Sequence, residues 1–384
     1  MENKIILKGI TWNHSRGFTP MVATGQRFSE LNPGIQVEWA TRSLQEFADF
    51  SIEQLAERFD LLVIDHPWAG FAAKSRAIIP LDEYLSPDYM LDQQLNTVGH
   101  SYESYNYEGH QWALPIDAAT PVASSRPDLF INHELQLPKS FEDLLALADQ
   151  GLVAFAGIPI DILMNFYTFC CSLGEDPCQQ EEQIISEEIG VKALKMYRQL
   201  ATKIDIKNFN RNPIQVYEAM TQTDEIAYCP FAYGYSNYSR KGYAAHTLHF
   251  HDMISLDGKN NLRSTLGGTG LAVSSRSANI SSALQYAKYV ASPTCQQSVF
   301  FENGGQPGHL SAWKDAEVNS RSSNFFLNTL PALERAFLRP RYDGHMFFQD
   351  HAGIIVRDYL MNGGNEHQVL LELNKLYLKS RKAS

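Results

Sequence analysis

The sequence lacks the features that mark membrane-spanning, exported and nucleic-acid-binding proteins. No apolar run reaches the roughly 20 residues that a membrane-spanning helix needs. Residues 1–12 hold no apolar segment followed by a cleavage site, so no signal peptide is predicted. Lysine and arginine never form a long run, and the net charge of −11 disfavours binding to nucleic acid. We therefore expect no membrane insertion and no nucleic-acid partner.

Cysteine is scarce, and the histidines form no recognised metal motif. The five cysteines are odd in number and irregular in spacing, which disfavours a disulfide framework. His249 and His251 would share one face of a strand, with His246 and Asp252 close in sequence, as metal ligands could. No further cysteine or histidine stands at a spacing typical of a metal site. We expect neither a bound metal nor a cofactor.

The motifs of several enzyme classes are also missing. There is no G-x-S-x-G elbow, and no Gly-Lys-Ser/Thr follows the glycine-rich "LGGTG" at 266–270. This segment predicts close backbone approach or a tight turn. Two acids, Asp65 and Asp117, could act as the acid and base of a glycoside hydrolase. The alternative, which we favour, is that they hydrogen-bond ligand hydroxyls or cap helices.

The first hundred residues alternate between strand and helix patterns, in a chain of 384 residues that is long enough for two domains. This order predicts an α/β fold with an open, mostly parallel sheet, in which ligands lie beyond the carboxyl ends of the strands. Thr19 is predicted to cap the first helix, with Pro20 as its first residue. Strands are predicted over 4–12, 35–39, 59–65 and 109–121, and a glycine-rich turn joined to a strand over 264–275. The first two helices are predicted over 20–31 and 43–57.

Polar and aromatic residues follow the first and third predicted strands. Parallel strands end at the same edge, so these two loops should lie together. Flat aromatic faces suit sugar rings, and an arginine can form paired hydrogen bonds with a carboxylate or a diol. The alternative places the tryptophans in the core and makes the arginine a surface residue that caps its own loop. The residues concerned are Trp12, Asn13, His14 and Arg16 in one loop, and Asp65, His66 and Trp68 in the other.

Several segments, taken in order, resemble the family 1 extracellular solute-binding proteins of ABC transporters, the maltose-binding-protein-like group. The likeness extends over nearly the whole chain, and the order of the segments is more specific than any one of them. The segments are "FSELNPGIQVEW", "FDLLVIDHPW", "IIPLDEYL", "GHQWALPID", "PKSFEDLLALAD", "GGTGLAVSSRSANISSALQYAKYVASPTCQQSVF", "NGGQPGH" and "RPRYDGH".

This resemblance implies a two-lobed periplasmic-binding-protein-like fold of type II. Each lobe would carry a mixed, mostly parallel sheet flanked by helices, and the ligand would occupy a cleft between the lobes that closes by hinge motion. The chain would cross between lobes, so that each lobe is discontinuous. Lobe 1 would contain 1–117 and 265–308, and lobe 2 would contain 118–264 and 309–384 with the C-terminal helices.

The resemblance also implies non-catalytic binding of a small polar solute, most simply a carbohydrate, for an ABC-type uptake system. The partners would be that ligand and a transporter permease, and the protein would be a monomer. Carried over by position, the ligand-binding residues would be Trp12, Asn13, His14, Arg16, Asp65, His66, Trp68, Asp117, Tyr233, Tyr235, Gly268, Thr269 and Gln306.

Two departures from the family leave alternatives open. The family is extracytoplasmic, and no export signal is read in this sequence, so a ligand carrier or sensor in the cytoplasm is an alternative. The two loops hold two histidines and an arginine, more cationic capacity than a neutral sugar needs. An acidic sugar or a carboxylic acid is therefore the alternative ligand, and an enzyme that uses Asp65 and Asp117 is a further one.

Overall fold

The computed structural model describes residues 4–43, 52–256 and 258–382. Numbered along the chain, the strands are β1 (Ile5–Trp12), β2 (Ile35–Arg42), β3 (Leu61–Ile64), β4 (Asn106–Tyr107), β5 (His110–Gln111), β6 (Leu114–Ala119), β7 (Pro121–Ser125), β8 (Tyr228–Tyr233), β9 (His249–His251) and β10 (Gly267–Val273). The α-helices span Phe18–Leu31, Ile52–Ala56, Ala69–Ser75, Pro87–Asn96, Ser101–Ser104, Pro127–Asn132, Phe141–Ala148, Pro159–Ser172, Glu187–Ala201, Pro213–Gln222, Ile280–Ala291, Pro293–Cys295, Leu310–Lys314, Ala316–Ser320, Phe325–Glu334, His345–Asn362 and Glu366–Lys382. Among these described helices, none is long and apolar enough to cross a membrane.

The chain divides into two compact units. The first unit contains Met1–Ala119, Gly267–Asn319 and Arg341–Asp343. The second contains Thr120–Leu266, Ser320–Pro340 and Gly344–Ser384.

The largest difference from the predicted lobes concerns residues 309–319, which the sequence assigned to the second lobe. In the structure these residues belong to the first unit. The indole Nε1 of Trp313 donates a hydrogen bond to the backbone oxygen of Pro307 (2.6 Å). The side-chain amide of Asn319 donates to the backbone oxygen of Trp313 (2.8 Å). Trp313 thus connects this segment to Pro307, which is also in the first unit.

The first unit is built on a five-stranded mixed sheet with the order β2-β1-β3-β10-β6. β1 runs parallel to β2 and β3, as the strand–helix alternation predicts. β10 runs antiparallel to both β3 and β6. The predicted strand over 109–121 is wrong as a single element, because this stretch contributes β5, β6 and the start of β7.

β3 shows why this unit has a core on each face of its sheet. All four residues of the strand are buried, as expected for a parallel strand that is covered on both faces. Leu61 and Val63 pack into one apolar cluster with Met21 and Phe28 of the first helix. Leu62 and Ile64 point the other way, into a second cluster. Because both faces of β3 are packed, the position of the loop that follows the strand is fixed relative to the sheet.

The first helix begins earlier than predicted. It begins at Phe18 and its N-cap is Gly17, which offers no side-chain cap, so the predicted cap at Thr19 is wrong. The backbone nitrogens of Gly17 and Phe18 both donate to the backbone oxygen of His14 (2.9 and 2.7 Å), and this turn starts the helix. Of the second predicted helix, over 43–57, the structure shows Ile52–Ala56, and residues 44–51 lie outside the described residues.

The second unit has a three-stranded sheet with the order β8-β7-β9, in which β7 is antiparallel to both neighbours. A parallel bridge between Val153 and Tyr228 extends it beside β8. The helix His345–Asn362 packs against Pro159–Ser172. A Cβ atom on Gly353 would lie 2.1 Å from the backbone oxygen of Pro159, so glycine permits this close approach.

Candidate ligand-binding site

A buried ion pair lies at the carboxyl end of β1 in the first unit. The Nε and Nη2 atoms of Arg16 donate to the two carboxylate oxygens of Asp117 at 2.8 and 2.5 Å. Their side chains are 5% and 1% exposed. Burial raises the pKa of Asp117, and the charge and hydrogen bonds of Arg16 oppose that rise. Both carboxylate oxygens of Asp117 are thus hydrogen-bonded to one edge of the Arg16 guanidinium.

The loop that carries Arg16 is held in place by a hydrogen bond within the loop and by the packing of Trp12. The backbone nitrogen of Arg16 donates to Nδ1 of His14 (3.0 Å). Trp12 is buried in the apolar cluster that also contains Leu61 and Val63. A Cβ atom on Gly17 would lie 2.3 Å from the indole ring, so only glycine at this position leaves room for it. Of the four residues predicted in this loop, Asn13 is exposed, His14 is half-buried, and Trp12 and Arg16 are buried.

His14 is uncharged at neutral pH. Burial lowers its pKa from 6.5 to about 4, and the positive charge of Arg16 adds to this effect. The hydrogen bond from the backbone of Arg16 also requires Nδ1 to carry no proton. The loop therefore presents less positive charge than its sequence predicts.

Acidification is expected to lower the free energy of unfolding through His14. The unfolded chain binds a proton there near pH 6.5 and the folded protein only near pH 4, so the unfolded state carries more protons between these values. The stability present above pH 6.5 is lost as the pH falls towards 4, by on the order of 3 kcal/mol for full titration. Urea unfolding at about pH 7 and about pH 4.5 should show a smaller decrease for His14→Gln than for the wild type.

The control for this measurement is His133→Gln, which changes an exposed histidine and should keep the wild-type decrease. Burial also lowers the pKa of His251 in the second unit to about 4, so His14→Gln should keep part of the dependence. An unchanged pH dependence in His14→Gln would show that His14 titrates normally in the folded protein.

The second predicted loop of the first unit follows β3. The Oδ1 atom of Asp65 accepts from the backbone nitrogen of His66 (2.9 Å) and caps the short 3-10 helix His66–Trp68. His66 is fully buried. Trp68 is half-buried, with its ring edge-to-face against Phe71 at 5.6 Å between centroids. Of these residues, Asp65 and Trp68 keep exposed surface.

The first residues of β10 lie beside Asp117 of β6, so the predicted close backbone approach at 266–270 is present and the alternative of a tight turn is wrong. Thr269 lies opposite Asp117 in the sheet register. Gly268 has φ of +100°, and a Cβ atom there would lie 2.3 Å from the backbone oxygen of Asp117. The Oγ1 atom of Thr269 is buried and accepts or donates no hydrogen bond among the described residues. Gln306 donates from Nε2 to the backbone oxygen of Ala118 (2.8 Å) and is fully buried.

Tyr105 connects the predicted loops, and sequence reasoning missed it. Its hydroxyl donates to the backbone oxygens of Ile64 (3.1 Å) and Gly268 (3.5 Å), and its ring meets His66 edge-on at 6.2 Å. It therefore links the end of β3 to the start of β10. No local pattern around residue 105 indicates this role, because the partners are distant in sequence.

The two predicted tyrosines of the second unit differ in exposure. Tyr233 is half-buried, and its hydroxyl is 2.9 Å from Oγ1 of Thr265. Tyr235 is buried, with its ring 6.3 Å from that of Tyr217. The hydroxyl of Tyr217 donates to the backbone oxygens of Ala232 and Tyr233 and so fixes the end of β8.

Two of the three histidines considered as metal ligands, and the aspartate beside them, pair with other groups. Nε2 of His251 is 2.8 Å from the hydroxyl of Ser125, and Asp252 forms an ion pair with Arg335. The Nδ1 atom of His246 lies 3.5 Å from the Oδ2 atom of Asp128. Within residues 4–43, 52–256 and 258–382, no group of three or more His, Cys, Asp or Glu side chains could hold a metal ion.

The two acids considered as a catalytic pair are both engaged. Asp117 binds Arg16 through both oxygens, and Asp65 caps the turn that follows it. A general acid or base must exchange a proton with substrate, which requires a carboxyl group within reach of it. Their positions favour structural roles over acid–base chemistry.

Comparison with known proteins shows the family and the fold. A model described as bacterial extracellular solute-binding protein matches residues 11–297. An ABC transporter solute-binding protein from Agrobacterium radiobacter, solved with ribitol, superposes with a TM-score of 0.83 at 18% identity, covering 98% of this chain and 99% of that one. A Thermotoga lettingae protein bound with α-D-tagatose gives 0.83 at 18%, with coverages of 98% and 100%. The maltotriose-binding protein of Thermus thermophilus gives 0.80 at 18%, with coverages of 98% and 100%.

The structural likeness confirms the predicted fold class, in which α/β units match those of known solute-binding proteins over nearly their whole length. Proteins of this family bind solutes and are not enzymes. Since the family model spans most of the sequence, the predicted family is confirmed, and this chain belongs to the bacterial extracellular solute-binding protein family.

Proposed function

We propose that this protein binds a neutral, polyhydroxylated solute, a carbohydrate or sugar alcohol, and delivers it unchanged to the permease of an ABC transporter. The family supports binding of a small molecule. Three proteins of similar fold were solved with ribitol, α-D-tagatose and maltotriose, all of which are neutral and rich in hydroxyl groups. The proposal includes a monomeric protein, as the resemblance to this family implies.

The neutralised charge of the loop after β1 is the observation that carries this proposal. Arg16 is paired through two hydrogen bonds with a buried carboxylate, and His14 is uncharged at pH 7. An anionic ligand would have to compete with Asp117 for the guanidinium, which would leave a buried carboxylate without compensation. The cationic capacity of Arg16 and His14, which favoured an acidic ligand, is thus already used or lost inside the protein.

The side chains that keep exposed surface in the two loops of the first unit suit a sugar. Trp68 offers part of an aromatic ring, and apolar sugar faces pack well on such rings. Asn13 and Asp65 keep exposed surface and supply the donors and acceptors that hydroxyl groups need. We propose these three as direct ligand contacts, with Tyr233 of the second unit as a further one. Arg16, His66 and Gln306 would then act by holding the loops in position, whereas Trp12 would contribute to the apolar core.

A thermal-shift screen tests the proposal. Ribitol, D-tagatose, maltose and maltotriose are compared with gluconate, galacturonate and citrate. We expect at least one neutral compound to raise the unfolding temperature, because a ligand at 100 times its dissociation constant adds about 2.7 kcal/mol of stability. Mass spectrometry of the recovered ligand should show it unchanged.

Two controls accompany the screen. Sodium chloride at matched ionic strength separates a salt effect from binding of the acids. Light scattering during chromatography should give the mass of a single chain. Stabilisation by the acids with none by the neutral compounds would refute a neutral ligand, and conversion of a sugar at substoichiometric protein would refute binding without catalysis.

A further inference from the structure

Two aspartates of the second unit occupy the same position in their helices but differ in their hydrogen bonding. Asp143 and Asp161 are each the third residue of a helix, in Phe141–Ala148 and Pro159–Ser172. The Oδ2 atom of Asp143 accepts hydrogen bonds from the backbone nitrogens of Lys139 and Ser140, both at 3.0 Å, and completes a capping box. An acidic residue at this position normally satisfies the free backbone donors of the first turn. Asp161 does not.

The carboxyl group of Asp161 is buried and unpartnered. The residue is only 6% exposed, and its Oδ2 atom is enclosed without a hydrogen-bond partner. No hydrogen bond or ion pair of this carboxyl group occurs within the part of the chain that the structure describes. Burial alone raises its pKa to about 8, so the group carries its proton at pH 7. A buried polar group in this state costs stability, which indicates a partner that the chain itself does not supply.

The position of Asp161 associates it with the end of β8. Val153 forms a parallel bridge with Tyr228, the first residue of β8, so the chain after Val153 runs in the same direction as that strand. The helix that carries Asp161 begins soon afterwards, on the side where β8 ends at Tyr233. Asp161 also lies within electrostatic range of Tyr217, whose hydroxyl binds the backbone oxygen of Tyr233. Tyr233 is itself the proposed ligand contact of the second unit.

From this arrangement we propose that Asp161 is a ligand-binding residue of the second unit, and that its carboxyl group hydrogen-bonds a hydroxyl group of the solute. The inference rests on the proposed function, because it specifies which group of the protein recognises a neutral polyol. A protonated carboxyl donates through its hydroxyl and accepts through its carbonyl oxygen, which matches the donor and acceptor of a sugar hydroxyl. The buried, unpartnered oxygen gains its hydrogen bond when the solute is bound.

Three variants test this inference. The probe is whichever of ribitol, D-tagatose, maltose and maltotriose binds the wild type most tightly, and its affinity is measured by calorimetry. Asp161→Ala should weaken binding about tenfold or more and should leave the ligand-free unfolding temperature unchanged or higher, because an unsatisfied polar group is removed. Asp161→Asn keeps the size and the neutral hydrogen-bonding character of the protonated acid, so affinity should stay within about threefold of wild type.

Asp143→Ala is the matched control, since it removes the acid at the same helical position. It should lower the ligand-free unfolding temperature, because the capping box is lost, and leave affinity unchanged. A lower ligand-free unfolding temperature for Asp161→Ala would assign Asp161 a structural role, with a bound water as its partner, and would overturn the inference. So would wild-type affinity in Asp161→Ala, or an equal loss in Asp161→Asn, which would require a charged group on the ligand.

Failure of the proposed function can be told apart from failure of this inference. If the wild type binds none of the four neutral compounds, the proposed ligand class is wrong. The inference about Asp161 then falls with it. If the wild type binds one of the compounds and Asp161→Ala keeps wild-type affinity, the proposed function stands and only the inference is overturned.

Discussion

Replacing Arg16 with alanine is expected to lower the free energy of unfolding by about 3–5 kcal/mol. The substitution leaves the carboxylate of Asp117 buried, with a side chain that is 1% exposed, and removes both of its hydrogen-bond donors. The protein interior cannot hydrate that charge, so the folded state loses more than the ion pair itself contributes. Urea unfolding followed by circular dichroism measures the change.

The pH dependence of this loss identifies its cause. In Arg16→Ala nothing opposes the effect of burial, so the pKa of Asp117 rises further and the folded variant binds a proton that the unfolded chain has already released. Because the folded state then carries more protons, the stability of the variant falls as the pH rises. The difference from wild type should therefore be smaller at about pH 5 than at about pH 8.

The double variant Arg16→Met with Asp117→Leu is the control for Arg16→Ala. Replacing both members of a buried ion pair with apolar residues is often neutral or stabilising, so most of the loss should be recovered. If Arg16→Ala costs less than about 1 kcal/mol at both pH values, solvent reaches Asp117 and the pair does not neutralise the loop. Arg16 would then be available to an anionic group, and the charge of this loop would no longer favour a neutral ligand.

Elements with a strong local signal could be predicted from the sequence. The continuous apolar run at 59–65 predicts a parallel strand covered on both faces, and β3 is buried throughout. The capping-box pattern from Ser140 to Asp143 predicts the start of a helix, and both of its hydrogen bonds are present. In each case the residues that decide the structure are neighbours in the sequence. The order of such segments was also sufficient to predict the family.

The electrostatics of the candidate site could not be predicted in the same way. The sequence places Arg16 and Asp117 separately among the candidate residues, yet 101 positions separate them and no pattern joins them. The start of the first helix was missed because a turn through His14 begins it, whereas the rule for capping residues favoured Thr19. Burial of Trp12 depends on the missing side chain of Gly17, and that approach exists only in the folded loop. Asp161 belongs to no motif, because its distinguishing property is that its buried Oδ2 atom has no hydrogen-bond partner among the described residues.

The two tryptophans of the first unit's loops should separate stability from binding. Trp12→Ala is expected to lower the free energy of unfolding by about 3–5 kcal/mol, since the indole is 5% exposed and packs in the main apolar cluster. Trp68→Ala removes a half-buried ring and should cost less than half of that. Its affinity for the best neutral ligand should fall about tenfold, equivalent to about 1.4 kcal/mol, because the exposed part of the ring is a proposed contact.

Trp112→Ala is the matched control for Trp12→Ala, because Trp112 is also buried in the first unit, at 3% exposure, and is no proposed contact. Both variants should lose similar stability, and the folded fraction of each should bind ligand within about threefold of wild type. A tenfold loss of affinity in folded Trp12→Ala, beside an unaffected Trp68→Ala, would mean that the ligand reaches the indole behind Gly17. The loop after β1 would then have to open on binding. Arg16 would move with Gly17, because both lie in the turn that begins the first helix.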